Sequence, residues 1–182
     1  MRSRIVGFGH ALGATFVLGA VSAFGDWVWN AYIDSHRTLY GIIHGGLLCL
    51  FLGMTLAWAG QPPRPWIRGA LGGLGVGVSA ALSFYLLAPW LRWWAMLPAW
   101  VVLWVLASLL GGLLAGSRAV SLERMLRGII AGVFSGIGFY FAVTQLWMGR
   151  GPKPGLFLSA LIWMVAFLPG YLPLLVRRPD VE

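Results

Sequence analysis

Six long hydrophobic stretches follow one another along this chain, separated by short polar or proline-rich connectors. Crossing the hydrocarbon core of a bilayer takes roughly 20 apolar residues in a helix, which satisfies its own backbone hydrogen bonds. The sequence therefore predicts an all-α, polytopic transmembrane bundle that forms a single domain over residues 1–182. The predicted spans are Ile5–Phe24, Leu39–Ala59, Ala70–Leu91, Trp94–Ala115, Met125–Trp147 and Leu156–Val176.

The net charge has to be interpreted together with this hydrophobicity. The chain carries 13 Lys and Arg against 5 Asp and Glu, a formal charge of +8, which in a soluble protein would suggest a nucleic-acid partner. However, 59% of the residues are hydrophobic and only 10% are charged, far fewer charges than a water-exposed surface needs. We assign the positive charge to loops that contact anionic lipid headgroups, and we expect no nucleic-acid partner.

The basic residues also orient the spans. Nine of them fall on the side of the two termini and four on the other side. Because cytoplasmic loops carry an excess of Lys and Arg, we predict a multi-pass protein of the cell (inner) membrane with both termini cytoplasmic. The nine are Arg2, Arg4, Arg64, Arg68, Arg118, Arg124, Arg127, Arg177 and Arg178; the four are Arg37, Arg92, Arg150 and Lys153.

The first stretch has two interpretations. Arg2 and Arg4, an apolar run and the small residues Val21-Ser22-Ala23 together resemble a cleavable signal peptide. His10 and several glycines make a weak signal-peptide core, and the run is long enough to span a membrane. We therefore expect a retained first helix.

The third and fifth stretches share a glycine pattern. Arg68-Gly69 is followed by Gly73 and Gly77, and Arg127-Gly128 by Gly132 and Gly136. This register match suggests a helical-hairpin repeat of roughly 60 residues. Glycine at every fourth position favours close helix packing in lipid, although such a stripe can also line a cavity. In the sixth stretch, Pro169 and Pro173 predict a bent or unwound second half.

Polar side chains suited to ligand chemistry gather around the first connector and the start of the second span. If the second helix begins near Asp34, then His36, Tyr40 and His44 share one helix face at four-residue steps. Six tryptophans lie near the same membrane interface, where such rings anchor spans: Trp27, Trp29, Trp90, Trp93, Trp94 and Trp147. The candidate ligand-binding residues are Asp26, Asn30, Asp34, His36, Tyr40 and His44, joined by Gln145 near the same end of the fifth span.

The histidines do not predict a metal site. His36 and His44 are about 12 Å apart along a helix, too far to share one ion, so we predict no metal and no cofactor. His44 lies about one and a half turns inside its span, where ionisable groups are costly and often functional. The alternative is a neutral His44 bonded to a neighbouring helix. His10 lies near the opposite end of the bundle and should not pair with His44.

The sequence lacks the signals that are typical of several classes of protein. No acidic residue falls at the middle of a predicted span, which counts against proton-coupled pumps and ion-driven carriers. The sequence also has no glycine-rich nucleotide loop, no Ser-His-Asp order within a recognisable catalytic motif and no zinc-protease spacing. We assign no catalytic residue.

Several features together resemble the Insig (insulin-induced gene) family of six-helix membrane proteins. They are six spans in 182 residues, Tyr40-Gly41 with His44-Gly45-Gly46, the small-residue third and fifth spans, and Leu106–Gly112 before a basic loop with Arg118. One departure is Ile33-Asp34-Ser35-His36, which resembles a tetrapeptide that animal Insigs carry at the end of helix two, whereas here it precedes that helix. The resemblance implies a non-enzymatic bundle, of bacterial type, that binds a sterol- or diacylglycerol-like lipid in a central cavity as a possible homo-oligomer.

Three functional hypotheses follow. The first is a non-enzymatic protein that binds a membrane lipid in an intramembrane cavity, with the candidate residues at its polar mouth. The second is a lipid-modifying enzyme at the membrane interface, with His36 or His44 as general base and Asp26 or Asp34 orienting it. The third is a transporter or channel for small solutes.

Overall fold

The fold was obtained as a computed structural model, which describes residues 2–33, 35–59, 65–116, 121–147 and 155–175, with only the backbone described for 2–7, 146, 147 and 175. Within these ranges the protein is all-helical. The helices are α1 (Arg2–Tyr32), α2 (Arg37–Ala59), α3 (Trp66–Leu91), α4 (Met96–Leu114), α5 (Leu122–Ala142) and α6 (Leu156–Leu175). A 3₁₀ turn, Arg92–Ala95, joins α3 to α4, and a π-helical turn, Val143–Trp147, extends α5.

The described helices form five continuous stretches that are long and apolar enough to cross a membrane. One of them, Trp66–Leu114, contains 49 residues and includes both α3 and α4. The chain reverses within that stretch, since Arg92 has a positive φ of 50°. A Cβ added at Gly72, near the start of α3, would collide with the side chain of Leu110, near the end of α4. Thus α3 and α4 form a hairpin.

The helices form a closed ring. Each packs against its neighbours in the chain, and α1 also packs against α6. Helix α4 additionally contacts α2 and α6, so it lies toward the middle of the bundle. Its Trp104 is fully buried and contacts Tyr171 of α6 edge-on, with 5.6 Å between ring centroids.

Both glycine stripes pack against the helix that precedes them in the chain. Along α3, a Cβ at Gly69, Gly73 or Gly77 would collide with the backbone of α2. Along α5, a Cβ at Gly128 or Gly132 would lie 2.5 Å from a Cα atom of α4. Bare backbone therefore allows α2–α3 and α4–α5 to approach closely, as the packing interpretation of the stripes predicted.

Two sequence-based expectations need correction. The first span was expected to end at Phe24, but α1 continues to Tyr32, so most of the predicted loop 25–38 is helical. Tertiary contacts explain the extension, because this last part of α1 packs against α2 and α6 through Tyr40 and Trp163. Helix α6 remains helical through Pro169 and Pro173, so of the two alternatives predicted for its second half, bending or unwinding, unwinding does not occur.

Candidate functional site

A cavity of about 540 Å³ lies inside one half of the ring. All six helices line it, and the lining residues place it near the end of α1 and the starts of α2, α4 and α6. We call this part of the bundle the cavity half. The lining is mainly apolar and aromatic, and its polar side chains include Asp26 and Asn30 from α1, His44 from α2 and Tyr85 from α3.

Asp26 accepts hydrogen bonds from two other residues that line the cavity. Its Oδ2 accepts a hydrogen bond of 2.7 Å from the indole Nε1 of Trp163, and its backbone carbonyl accepts one of 2.7 Å from the Asn30 amide. Asp26 lies six residues before the end of α1, about 9 Å along the helix axis. The sequence predicted that Asp26 lies in an external loop. Its carboxylate belongs instead to the packed helical bundle.

Tyr40 and His44 are brought together as the four-residue spacing predicted. Their ring centroids are 6.0 Å apart, and the Tyr40 hydroxyl donates a 2.7 Å hydrogen bond to the carbonyl of Gly25. The His44 ring packs against Gly25, where a Cβ would collide with it. His44 Nε2 is buried and has no hydrogen-bond partner among the described residues. Such an atom is costly unless a ligand or water bonds it.

The remaining candidate residues do not join this group. Helix α2 begins at Arg37, so His36 precedes it, with a φ of 55°, and its Nδ1 lies 2.9 Å from the Ser35 hydroxyl. Both His36 and Gln145 are exposed, and neither lines the cavity. Asp34 lies outside the described residues.

The sequence did not identify the aromatic wall of the cavity. Rings from the 3₁₀ turn, α4, α5 and α6 contact one another in a continuous cluster, with centroid separations of 5.1 to 6.1 Å. Such separations are typical of favourable aromatic pairs. Trp29 also lines the cavity from α1. The wall consists of Trp93, Trp100, Phe139, Trp163 and Phe167.

This wall revises the assignment of the tryptophans to the interface. Trp27, Trp90 and Trp94 are at least half exposed, which fits an anchoring role at the membrane surface. Trp29 and Trp93 were assigned there too, but both line the cavity. The side chain of Trp147 is not among those described. Hydropathy cannot separate these two groups, because both lie near helix ends.

The opposite half of the bundle contains a separate polar group. His10 Nε2 lies 3.0 Å from the carbonyl oxygen of Thr55, and the Thr55 hydroxyl hydrogen-bonds the hydroxyl of the buried Tyr171. The His44 ring packs against Gly25. His10 lies fifteen positions before Gly25 on α1, about 22 Å along the helix axis. His10 and His44 therefore do not pair, as the sequence predicted.

No group of three or more metal-ligating side chains occurs among the residues described. Comparisons of the chain with protein-family models, with curated proteins and with solved structures give no match. The assignment of function therefore depends on the site itself.

Proposed function

We propose that this chain is a six-span membrane protein of the cell (inner) membrane that binds one lipid or lipid-like amphiphile in the cavity half. The apolar part of the ligand would lie against the aromatic wall, and its polar head would meet Asp26, Asn30 and His44. The proposal covers any amphiphile with one polar head and an apolar part that fits the cavity, including the diacylglycerol- and sterol-like lipids that the resemblance implies.

The observation that carries the proposal is a mainly apolar cavity of ligand size with a few polar side chains in its lining. The volume of about 540 Å³ lies within the range of small-molecule sites, about 300–1,000 Å³. Such sites combine an apolar lining with a few polar groups that orient the ligand. Here Asp26, Asn30 and His44 supply polar groups of this kind in the lining.

Two features favour binding over the other hypotheses. An enzyme with His44 as general base would need a carboxylate to orient the ring, but Asp26 is hydrogen-bonded to Trp163. A solute pathway would need to continue through the bundle. Below the cavity, however, the other half is filled by buried side chains such as Leu52, Trp104 and Tyr171.

Filling the cavity should expel the ligand. Ala81 lines the cavity, so Ala81→Phe adds a ring to the space that the ligand would occupy. Ser79 is exposed on the same helix, and Ser79→Phe is the matched control for added bulk. With the protein purified in mild detergent, native mass spectrometry should find one bound lipid in the wild type and in Ser79→Phe, and at least tenfold less in Ala81→Phe. Equal occupancy in all three, or an empty wild type, would reject the proposal.

The number of spans can be tested by labelling single cysteines in membranes. In a Cys49→Ala background, cysteines at Ser35 and Arg92 should react with an impermeant maleimide from one side, and a cysteine at Gly116 only from the other. The α3–α4 hairpin supports this alternation. Arg92 lies in the turn between the two helices and Gly116 follows the other end of α4, so the two positions lie at opposite ends of one span. Labelling of Arg92→Cys and Gly116→Cys from the same side would leave five spans.

A further inference from the structure

The charge of the cavity is opposite to that of the whole chain. The protein carries a formal charge of +8. Among the described residues that line the cavity, however, the acidic side chain of Asp26 is accompanied by no Lys or Arg. A carboxylate inside an apolar space attracts positive charge strongly, because little solvent screens it. The negative charge of Asp26 therefore favours a cation in the cavity.

The aromatic wall favours the same ligand chemistry. An aromatic ring attracts cations through the negative potential of its face, and desolvation strengthens this attraction. Trp163 belongs to the wall and also donates its Nε1–H to Asp26, so the wall directly contacts the carboxylate. Groups of aromatic rings are typical of sites that bind quaternary ammonium groups.

The hydrogen bond from Trp163 holds the carboxylate without neutralising it. The indole occupies Oδ2, whereas a carboxylate has acceptor positions on both oxygens. A quaternary ammonium group donates no hydrogen bond and needs only proximity to the charge and to ring faces. A neutral hydroxyl, by contrast, gains little from the rings.

We infer that the cavity selects ligands with a cationic amine or quaternary ammonium head; this inference rests on the proposed binding function and specifies its ligand. Asp26 supplies the counter-charge, the aromatic wall surrounds the head, and the apolar residues beside them, such as Leu48 and Leu103, receive an attached chain. The head can belong to a membrane lipid or to a small organic cation, which present the same chemistry.

The inference can be tested by scintillation proximity binding of radiolabelled decyltrimethylammonium to the purified protein, below the micellar concentration of the probe. Decan-1-ol serves as a neutral competitor with the same chain, and benzyltrimethylammonium as a cation without the chain. We expect saturable binding, with decan-1-ol competing at least tenfold more weakly. If decan-1-ol competes weakly as expected, tight competition by benzyltrimethylammonium would identify small cations as ligands, and weak competition would identify cationic amphiphiles that carry a chain.

Variants separate charge from shape. Asp26→Asn retains an oxygen for Trp163 and removes the charge, so it should weaken cation binding at least tenfold and leave decan-1-ol competition almost unchanged. Glu123→Gln, at an exposed carboxylate on α5, is the matched control and should bind like the wild type. Trp93→Leu removes a partly exposed ring of the wall and should also weaken the cation more than the alcohol, which keeps the inference testable if Asp26→Asn does not fold.

Two kinds of failure can be distinguished. If decan-1-ol competes as well as the cation, or if Asp26→Asn binds the cation normally, the cationic head is wrong while the binding function stands. If neither probe binds and Ala81→Phe retains as much lipid as the wild type, the binding function itself fails.

Discussion

Replacing Gly73 by alanine is expected to destabilise the protein by about 3 kcal/mol, because over-filled contacts with no room to relax cost this much. The added methyl group would collide with the carbonyl oxygen of Cys49, on the facing helix α2. Backbone atoms cannot turn aside as a flexible side chain can, so the two helices would have to separate. The measurement is the thermal midpoint of the purified protein in a mild detergent, followed by tryptophan fluorescence.

The same helix provides a matched control. Gly75 lies two residues away, and a Cβ added there would have no atom within 4 Å. Because alanine is about 1 kcal/mol more favourable than glycine inside a helix, Gly75→Ala should be neutral or slightly stabilising. The sign of the effect is therefore expected to differ between the two positions. Equal midpoints for the two variants would contradict the backbone contact between α2 and α3.

The Asp26–Trp163 pair should behave as a coupled unit. Trp163→Phe leaves the carboxylate without its indole donor, and Asp26→Leu leaves the indole N–H without its acceptor. Leaving a buried polar group unpaired costs about 1–3 kcal/mol, whereas replacing both partners by apolar groups can be nearly neutral. We expect each single variant to be destabilised by about 2 kcal/mol, and the double variant by less than either.

Trp90→Phe is the control for this cycle, since it makes the same chemical change on a side chain that is 78% exposed. It should alter stability by less than about 0.5 kcal/mol. Strict additivity of the Asp26 and Trp163 variants would mean that the hydrogen bond contributes nothing. The cycle measures stability, so it can be carried out before any ligand is identified.

Much of the architecture follows from local sequence. Hydropathy locates the helices because a helix in lipid must be apolar over its whole length, and it places α2 and α6 to within two residues at each end. Four-residue glycine spacing correctly predicts the close packing of α3 against α2 and of α5 against α4. Helix α1 is longer than predicted, since the residues beyond Phe24 continue the helix and contact α2 and α6, and hydropathy does not detect such contacts.

The site was predictable only in part. Asp26, Asn30 and His44 stand out in the sequence because polar groups are rare in such a chain, and all three line the cavity. Trp163 and Phe167 lie within an apolar run, where nothing local distinguishes a ring that faces a cavity from one that faces lipid. His36 was expected on the face of Tyr40 and His44, but the helix begins one residue after it.

The closure of the ring by α1 and α6 implies an order of assembly. The hydrogen bond between Asp26 and Trp163 joins positions 137 residues apart, so α1 enters the membrane long before its partner helix exists. At about 5–20 residues per second of synthesis, α1 waits on the order of ten seconds. During that interval its carboxylate has no indole donor, and the aromatic wall lacks the rings of α6. The cavity and its aromatic wall are therefore completed in a late step, when α6 docks against α1.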